Sequence, residues 1–318
     1  MQKIDVFNGD ADGICALHQL RLAQPASSLL ITGVKRDIGL LEKIKHVTHA
    51  DIVVLDISLD ANRDALNALL KQENNILYFD HHYHGEIPVS AHLNTHLDMD
   101  PDLCTSLLVD RYLGGTYREW AIVAAFGDNL HKSAHKLATD LGLSESHTAS
   151  LRELGELINY NGYGESLEDL HLSPDQLYLS LVPYEHPGDF IENSETISRL
   201  RSGFKQDREL ALSFGALPHE GTGRIVCFPS EAWAKRIAGV YNNEMSRKYP
   251  EQAQALLVEN HDGSWMVSVR APQTAPVGAD LLCRQFPTGG GRAKAAGINQ
   301  LPAEQLKAFI HAFDQQFS

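Results

Sequence analysis

Leu77-Tyr78-Phe79-Asp80-His81-His82 is an apolar, β-favouring run that stops abruptly at one carboxylate and two adjacent imidazoles. A strand that delivers polar groups at its carboxyl end, in a chain whose strands and helices alternate, puts them where open α/β sheets bind ligands. Two earlier stretches repeat the pattern: Lys3 to Phe7 leads into Asn8-Gly9-Asp10-Ala11-Asp12-Gly13, and Asp51 to Leu55 leads into Asp56. Three strand ends therefore converge on Asp10, Asp12, Asp56, Asp80, His81 and His82. Carboxylates mixed with imidazoles suit Mn²⁺ or Mg²⁺, and the lack of any Cys pair argues against structural zinc. Taken alone, Asp10 and Asp12 could equally be a helix N-cap and a first-turn acid. Beside two further acidic strand ends, the metal reading and with it metal-assisted hydrolysis are favoured.

The chain outside these motifs sets bounds. Its 318 residues suggest two domains, each able to bury a core, and 43% hydrophobic with 21% charged residues is the balance of a soluble globular protein. A net charge of −14 disfavours long duplex nucleic acid, whose nonspecific binding needs many Lys and Arg on phosphates; a short anionic substrate held by metal and a few local cations stays compatible. Cys15, Cys104, Cys227 and Cys283 show no paired spacing and read as reduced thiols. With no signal peptide and no membrane-length apolar run, the expected location is the cytoplasm and no membrane partner is expected.

Element by element, a helix should follow Gly13. Leu29 to Val34 reads as a strand, Leu40 to Lys45 as a short helix, Asp51 to Leu55 as a buried strand and Leu59 to Leu70 as a helix. This βαβ order calls for a doubly wound, mainly parallel α/β sheet in the N-terminal domain. Tyr83 to Leu97 has no clear period. Thr105 and Ser106 sit at a helix start, where hydroxyls commonly cap. Trp120 to Phe126 is an apolar helix ending at Gly127-Asp128-Asn129, and His131 and His135 fall on one helix face, read as solvated. Pro183 to Gly188 reads as a hinge and Ile191 to Leu212 as a connector helix. A smaller α/β domain should follow, with strands at Arg224 to Phe228, Ala255 to Asn260 and Trp265 to Arg270, and helices near Glu231 to Tyr249, Ala279 to Phe286 and Ala303 to Phe313. The expected division is 1–188, a connector at 189–222, and 223–318. In the last part Thr288-Gly289-Gly290-Gly291-Arg292 reads as a loop whose N–H groups can turn toward an anion, or as a merely flexible loop.

Asp10-x-Asp12-Gly13, Asp56 and Asp80-His81-His82, in this order, resemble the DHH phosphoesterases, the family of RecJ-like exonucleases, oligoribonucleases, cyclic-dinucleotide phosphodiesterases and some pyro- and polyphosphatases. The resemblance spans nearly the whole chain. Gly289-Gly290-Gly291-Arg292-Ala293-Lys294-Ala295-Ala296-Gly297, after Ser268-Val269-Arg270, is similar to the signature of the DHH-associated C-terminal domain, except that Arg292 stands where the family usually has His. The first motif also departs: Val6 and Asn8 occupy positions where relatives place a metal-binding His or Asp.

The resemblance implies two Mn²⁺ (or Mg²⁺) ions. One would be held by Asp10 and Asp56 with Asn8, the other by Asp12, Asp56, His81 and Asp128, with Asp56 bridging. His82 would face the scissile phosphoryl group and Asp80 would fix an imidazole tautomer. Ser106 would lie near the substrate phosphate. Arg270, Gly289 to Gly291 and Arg292 would grip the far end of the substrate across an interdomain cleft. The expected function is a metal-dependent phosphodiesterase acting on short nucleotides, either linear oligonucleotides or dinucleotides. A phosphoanhydride hydrolase acting on dinucleoside polyphosphate, pyrophosphate or polyphosphate is the alternative. A silent nucleotide-binding regulator is a third reading, motivated by the neutral Asn8, and a homodimer is the assembly left open.

Overall fold

The computed structural model describes residues 1–317. They divide into two compact units, Met1–Ser202 and the described residues from Gly203 onward. The first unit contains, in order, β1 (Gln2–Phe7), α1 (Ala11–Ala23), β2 (Leu29–Ile31), β3 (Ala50–Leu55), α2 (Arg63–Lys71), β4 (Asn75–Asp80), β5 (Leu93–Leu97), α3 (Thr105–Tyr112), α4 (Arg118–Gly127), α5 (His131–Asp140), α6 (Glu145–Asn161), α7 (Pro174–Leu181) and α8 (Pro187–Asn193). The helix α9 (Glu195–Ser213) runs across the division.

The five strands form one wholly parallel sheet in the order β2-β1-β3-β4-β5. Alternate residues of each strand face opposite layers. Ile4, Val6, Ile52, Val54, Ile76 and Tyr78 pack against Leu66 and Leu69 of α2 and against Leu40, Leu41 and Ile44 of a 3₁₀ turn. Helices α1 and α3 cover the other face, and α4 and α6 pack behind α1. The doubly wound α/β architecture expected from the βαβ order is therefore present.

Register is what builds the site. Phe7 pairs with Leu55 and Leu55 with Phe79, so the three strands finish in step. Their next residues, Asn8, Asp56 and Asp80, then stand side by side at the carboxyl edge. The layer behind them is fixed by a close helix crossing: a Cβ on Gly155 would lie 2.1 Å from the carbonyl oxygen of Val123, and one on Gly127 would lie 2.4 Å from Ala11. That contact brings the end of α4, and Asp128 with it, against the start of α1.

The second unit contains β6 (Arg224–Phe228), α10 (Ala232–Lys248), β7 (Gln254–Glu259), β8 (Trp265–Arg270), α11 (Ala279–Cys283), β9 (Gly289–Arg292), β10 (Ala295–Leu301) and α12 (Leu306–Gln316). Its sheet has the order β6-β7-β8-β10-β9, with β6 and β7 parallel and the rest antiparallel. Ala255, Leu257, Val267, Val269, Ala296 and Ile298 face the core formed with α11 and α12.

Several expectations need correction. Gly289–Arg292 is an edge strand paired with β10, not a loop, because Ala295–Leu301 supplies a partner that offsets the poor strand propensity of glycine. Tyr83 to Leu97, aperiodic in sequence, contains β5, which completes the sheet edge. Pro183 to Gly188 is packed rather than a hinge: Trp120 Nε1 donates to the Glu185 carbonyl at 2.8 Å, His18 Nε2 pairs with the Tyr184 carbonyl at 2.8 Å, and Pro187 opens α8. The connector is two helices broken at Ser194. His131 and His135 lie beside the Phe126 ring, with centroids 5.9 and 5.1 Å away, His131 half-buried and His135 exposed. All four cysteines are free, and no helix of the described residues is long and apolar enough to cross a membrane.

Candidate metal centre

Asp10 is the N-cap of α1, where its Oδ1 accepts from the backbone N–H groups of Asp12 and Gly13 at 3.0 and 3.1 Å. The capping reading of the acidic turn is thus met at Asp10. Asp12, on the first turn, points instead at the start of α3, where Thr105 N–H donates to Oδ2 and Ser106 N–H to Oδ1, both at 2.7 Å. A helix N-terminus carries partial positive charge, so this dock favours an ionised carboxylate and fixes its orientation. The Ser106 hydroxyl is buried and donates to the Asp12 carbonyl at 3.0 Å. Its visible task is to hold Asp12.

Asp56 turns out of β3 with a φ of 60°, a left-handed conformation uncommon for a residue with a Cβ and typical of functional sites. Thr105 Oγ1 donates to its Oδ1 at 3.0 Å. Burial, and then the charges of Asp12, Asp10, Asp128 and Asp80, push its carboxyl well above the usual range. Asp128, at the C-cap of α4, is pushed up to about 6 by burial and by Asp12 and Asp10, against the pull of Lys35. Such crowding of like charge leaves a deficit that a cation would relieve.

His81 is the centrepiece. Its Nδ1 donates to the Leu103 carbonyl at 3.0 Å, which fixes the tautomer and leaves an Nε2 lone pair. That Nε2 faces carboxylate oxygens of Asp56, Asp128 and Asp12 at 3.5, 3.9 and 4.0 Å. None of the three is a hydrogen bond, and an Nε2 that faces three carboxylates across such gaps suits a cation between them. Two sets of side chains, Asp12-His81-Asp128 and Asp56-His81-His82, bring ligand atoms within 4.8 Å of one another among the described residues. Oxygen donors with one imidazole, backed by hydrogen bonds from Leu103, Thr105 and Ser106, fit Mn²⁺ or Mg²⁺.

His82 is half-exposed and its Nδ1 lies 2.7 Å from Asp80 Oδ1. Burial works against its imidazolium, but the hydrogen bond and charge of Asp80 outweigh it and raise the pKa.

Sequence reasoning missed Lys35. It follows β2, and its Nζ lies 2.7 Å from Asp10 Oδ2, 2.9 Å from Asn159 Oδ1 and 3.5 Å from Asp128 Oδ1. Burial opposes the ammonium, but Asp10, Tyr163 and Asp128 overcome it and raise its pKa well above the ordinary value. The same pair holds Asp10 below the usual carboxylate range despite burial. Asn8 Nδ2 donates to the Lys35 carbonyl at 3.3 Å, and its Oδ1 is buried without a partner.

The other candidates lie in the second unit. Arg270 and Arg292 both pair with Ala295, one from each side of β10, and Ser268 and Gly290 both pair with Gly297. These residues share the face opposite the core. Arg270 Nε donates to Asn243 Oδ1 of α10 at 3.1 Å and its Nη1 to Ser268 Oγ at 3.2 Å, while Arg292 is exposed.

No protein-family model matches the chain, and no curated protein does. Solved structures do match. The exonuclease RecJ bound to manganese aligns over 99% of this chain and 89% of its own, at 16% identity and a TM-score of 0.62. RecJ of Thermus thermophilus in complex with Mn²⁺ aligns over 99% of this chain at 17% identity and a TM-score of 0.62; the present chain spans only 52% of its length. The pGpG-specific phosphodiesterase PggH of Vibrio cholerae aligns over 99% of this chain and 100% of its own, at 13% identity and a TM-score of 0.60. The fold is RecJ-like, as the motif order implied.

Proposed function

We propose that this chain, built on the RecJ-like DHH fold, is a divalent-metal-dependent phosphodiesterase that hydrolyses short nucleotides such as linear oligonucleotides or dinucleotides. The observation that carries this is the His81 imidazole, tied through Nδ1 to Leu103 so that its Nε2 lone pair meets Asp12, Asp56 and Asp128. The manganese in the two RecJ structures and the dinucleotide specificity of PggH support it.

Asp12, Asp56, His81 and Asp128 would hold the ion, with Mn²⁺ the first choice and Mg²⁺ the second. When bound, it supplies Lewis acidity to a phosphoryl oxygen and lowers the pKa of bound water. The rest is done by the chain. Asp80 orients His82 and favours its imidazolium, whose second N–H remains to meet charge that develops on the phosphoryl oxygens. In residues 223–318, the guanidinium groups of Arg270 and Arg292 on either side of small Ala295 suit a phosphate, which they can bind bidentately. The acidic chain as a whole favours few-nucleotide substrates over long polyanions.

The test is a panel of dinucleotides with and without a 5′-phosphate, longer oligonucleotides, cyclic dinucleotides and polyphosphate, each with Mn²⁺ and with products separated by chromatography. Mononucleotides released from dinucleotides are expected. Turnover of polyphosphate alone, or of nothing, would refute the phosphodiesterase reading.

A further inference from the structure

We propose that the Lys35 ammonium takes the place of one of the two metal ions, so that the centre is mononuclear with a cation of its own at the Asp10 position. The inference rests on the metal-centre reading above and concerns how many ions that centre takes.

The geometry around Asp10 carries the argument. One of its oxygens is used by the backbone of α1, where Asp12 and Gly13 N–H donate to Oδ1. The other, Oδ2, is taken by Lys35 at 2.7 Å. No oxygen of Asp10 belongs to either set of side chains able to share an ion. An ammonium has three protons and no acceptor. Lys35 has three oxygens around it, on Asp10, Asn159 and Asp128, at 2.7, 2.9 and 3.5 Å. The face of Tyr163 lies 5.5 Å from Nζ, a cation–π distance.

The lysine is also held from behind. Its backbone N–H donates to the Gly162 carbonyl at 2.8 Å, and its own carbonyl accepts from Asn8 Nδ2. The backbone is thus pinned on both sides of its Cα, and the ammonium is met by three oxygens, restraints that a surface lysine lacks. A divalent ion at Asp10 would have to displace it or sit beside a positive charge, and like charges that close repel strongly where water is scarce.

Position 8 fits the same account. A neutral amide there adds no negative charge, although its buried Oδ1 is left without a partner, so the edge of the site near Asp10 presents one carboxylate, and Lys35 matches it one for one. The Asp12-Asp56-His81-Asp128 side has three carboxylates and an imidazole lone pair left to attract an ion. Lys35 thereby acts as a positioning residue, holding Asp10 and Asp128 in the places a second ion would otherwise set.

The experiment counts ions. Wild-type protein equilibrated with millimolar Mn²⁺ is analysed for bound metal per chain, and electron paramagnetic resonance distinguishes an isolated ion from a spin-coupled pair. The same is done for Lys35→Met, which keeps the length of the side chain without its charge. One isolated Mn²⁺ per wild-type chain is expected, with a second, coupled ion in Lys35→Met. A coupled pair in the wild type would overturn the proposal while leaving the metal-centre reading intact, and this result does not depend on the variant folding. A single ion in both proteins would show that Lys35 is not what excludes the second, and would overturn it too. No bound ion in the wild type would remove the metal-centre reading and this inference together.

Discussion

Arg270 and Arg292 stand opposite the same residue, Ala295, from the two strands that flank β10. Residues in one cross-strand row share a face, so the two arginines leave the sheet from backbone positions about 10 Å apart, two strand spacings, on either side of a methyl. Arg292 is exposed on the edge strand, whereas Arg270 is partly tied to Asn243 and Ser268.

Arg292→Ala should therefore raise KM for a 5′-phosphorylated dinucleotide by a loss of about 1.5 to 3 kcal/mol, the usual worth of a charged hydrogen-bonded contact. It should change little for the same dinucleotide without that phosphate. Steady-state kinetics on both substrates check this, and equal losses would assign Arg292 to holding the hairpin.

Gly289 and Gly290 should behave differently when each is replaced by Ala. A Cβ on Gly289 would lie 1.8 Å from the Cys283 carbonyl oxygen, while one on Gly290 would meet nothing within 4 Å. Gly289→Ala should lower the melting temperature of the second unit markedly. Gly290→Ala should leave it nearly unchanged but weaken substrate binding severalfold if the bare backbone there receives an anion. Unaltered KM in Gly290→Ala would remove that position from the substrate site.

His82 supplies a pH test on metal-free protein. Its pKa is raised by Asp80 against burial, so the stability it contributes is fully present below the ordinary imidazole value of about 6.5 and is lost as pH rises through the raised one. Asp80→Asn removes the carboxylate charge and should lower the His82 pKa and shift that loss to lower pH. An NMR titration of the ring protons reads this directly; an unmoved pKa would break the Asp80–His82 assignment.

Asp128 and Asp56 trade stability for the ion. Asp128, raised to about 6 from an ordinary 3.8, disfavours the folded metal-free chain as pH rises between those values. Mn²⁺ binding must therefore release a proton below pH about 6. Calorimetry in buffers of different ionisation enthalpy detects it. For Asp56, the Asn variant keeps an oxygen for Thr105 and removes a crowded charge, so metal-free Asp56→Asn should gain about 1 to 2 kcal/mol of stability. The same variant should lose turnover.

The strand ends were legible because an apolar run closing on an acid states both its face and its end, which picked out Asp12, Asp56 and His81; Asp128, at the end of helix α4, came only through the family resemblance. Lys35 was not, because β2 is only three residues long and the lysine reaches the site through backbone and side-chain contacts with Gly162 and Asn159, more than a hundred positions away. Asn159 itself lies in the last turn of α6, and nothing in its sequence marks it as a lysine partner. The glycine run has the composition of a loop because strand formation there depends on β10 and not on its own residues. In the helix Ile191 to Leu212, periodicity continues across Ser194, whose extended backbone ends α8 and whose hydroxyl accepts from the Thr196 N–H at the start of α9.

The most direct measurement is the Mn²⁺-dependent release of mononucleotide from a 5′-phosphorylated dinucleotide by the wild type and by His81→Ala, with bound metal determined on the same samples. The account predicts metal and turnover in the wild type, and the loss of both in His81→Ala. Full metal content in His81→Ala, or turnover that survives removal of metal from the wild type, would contradict it.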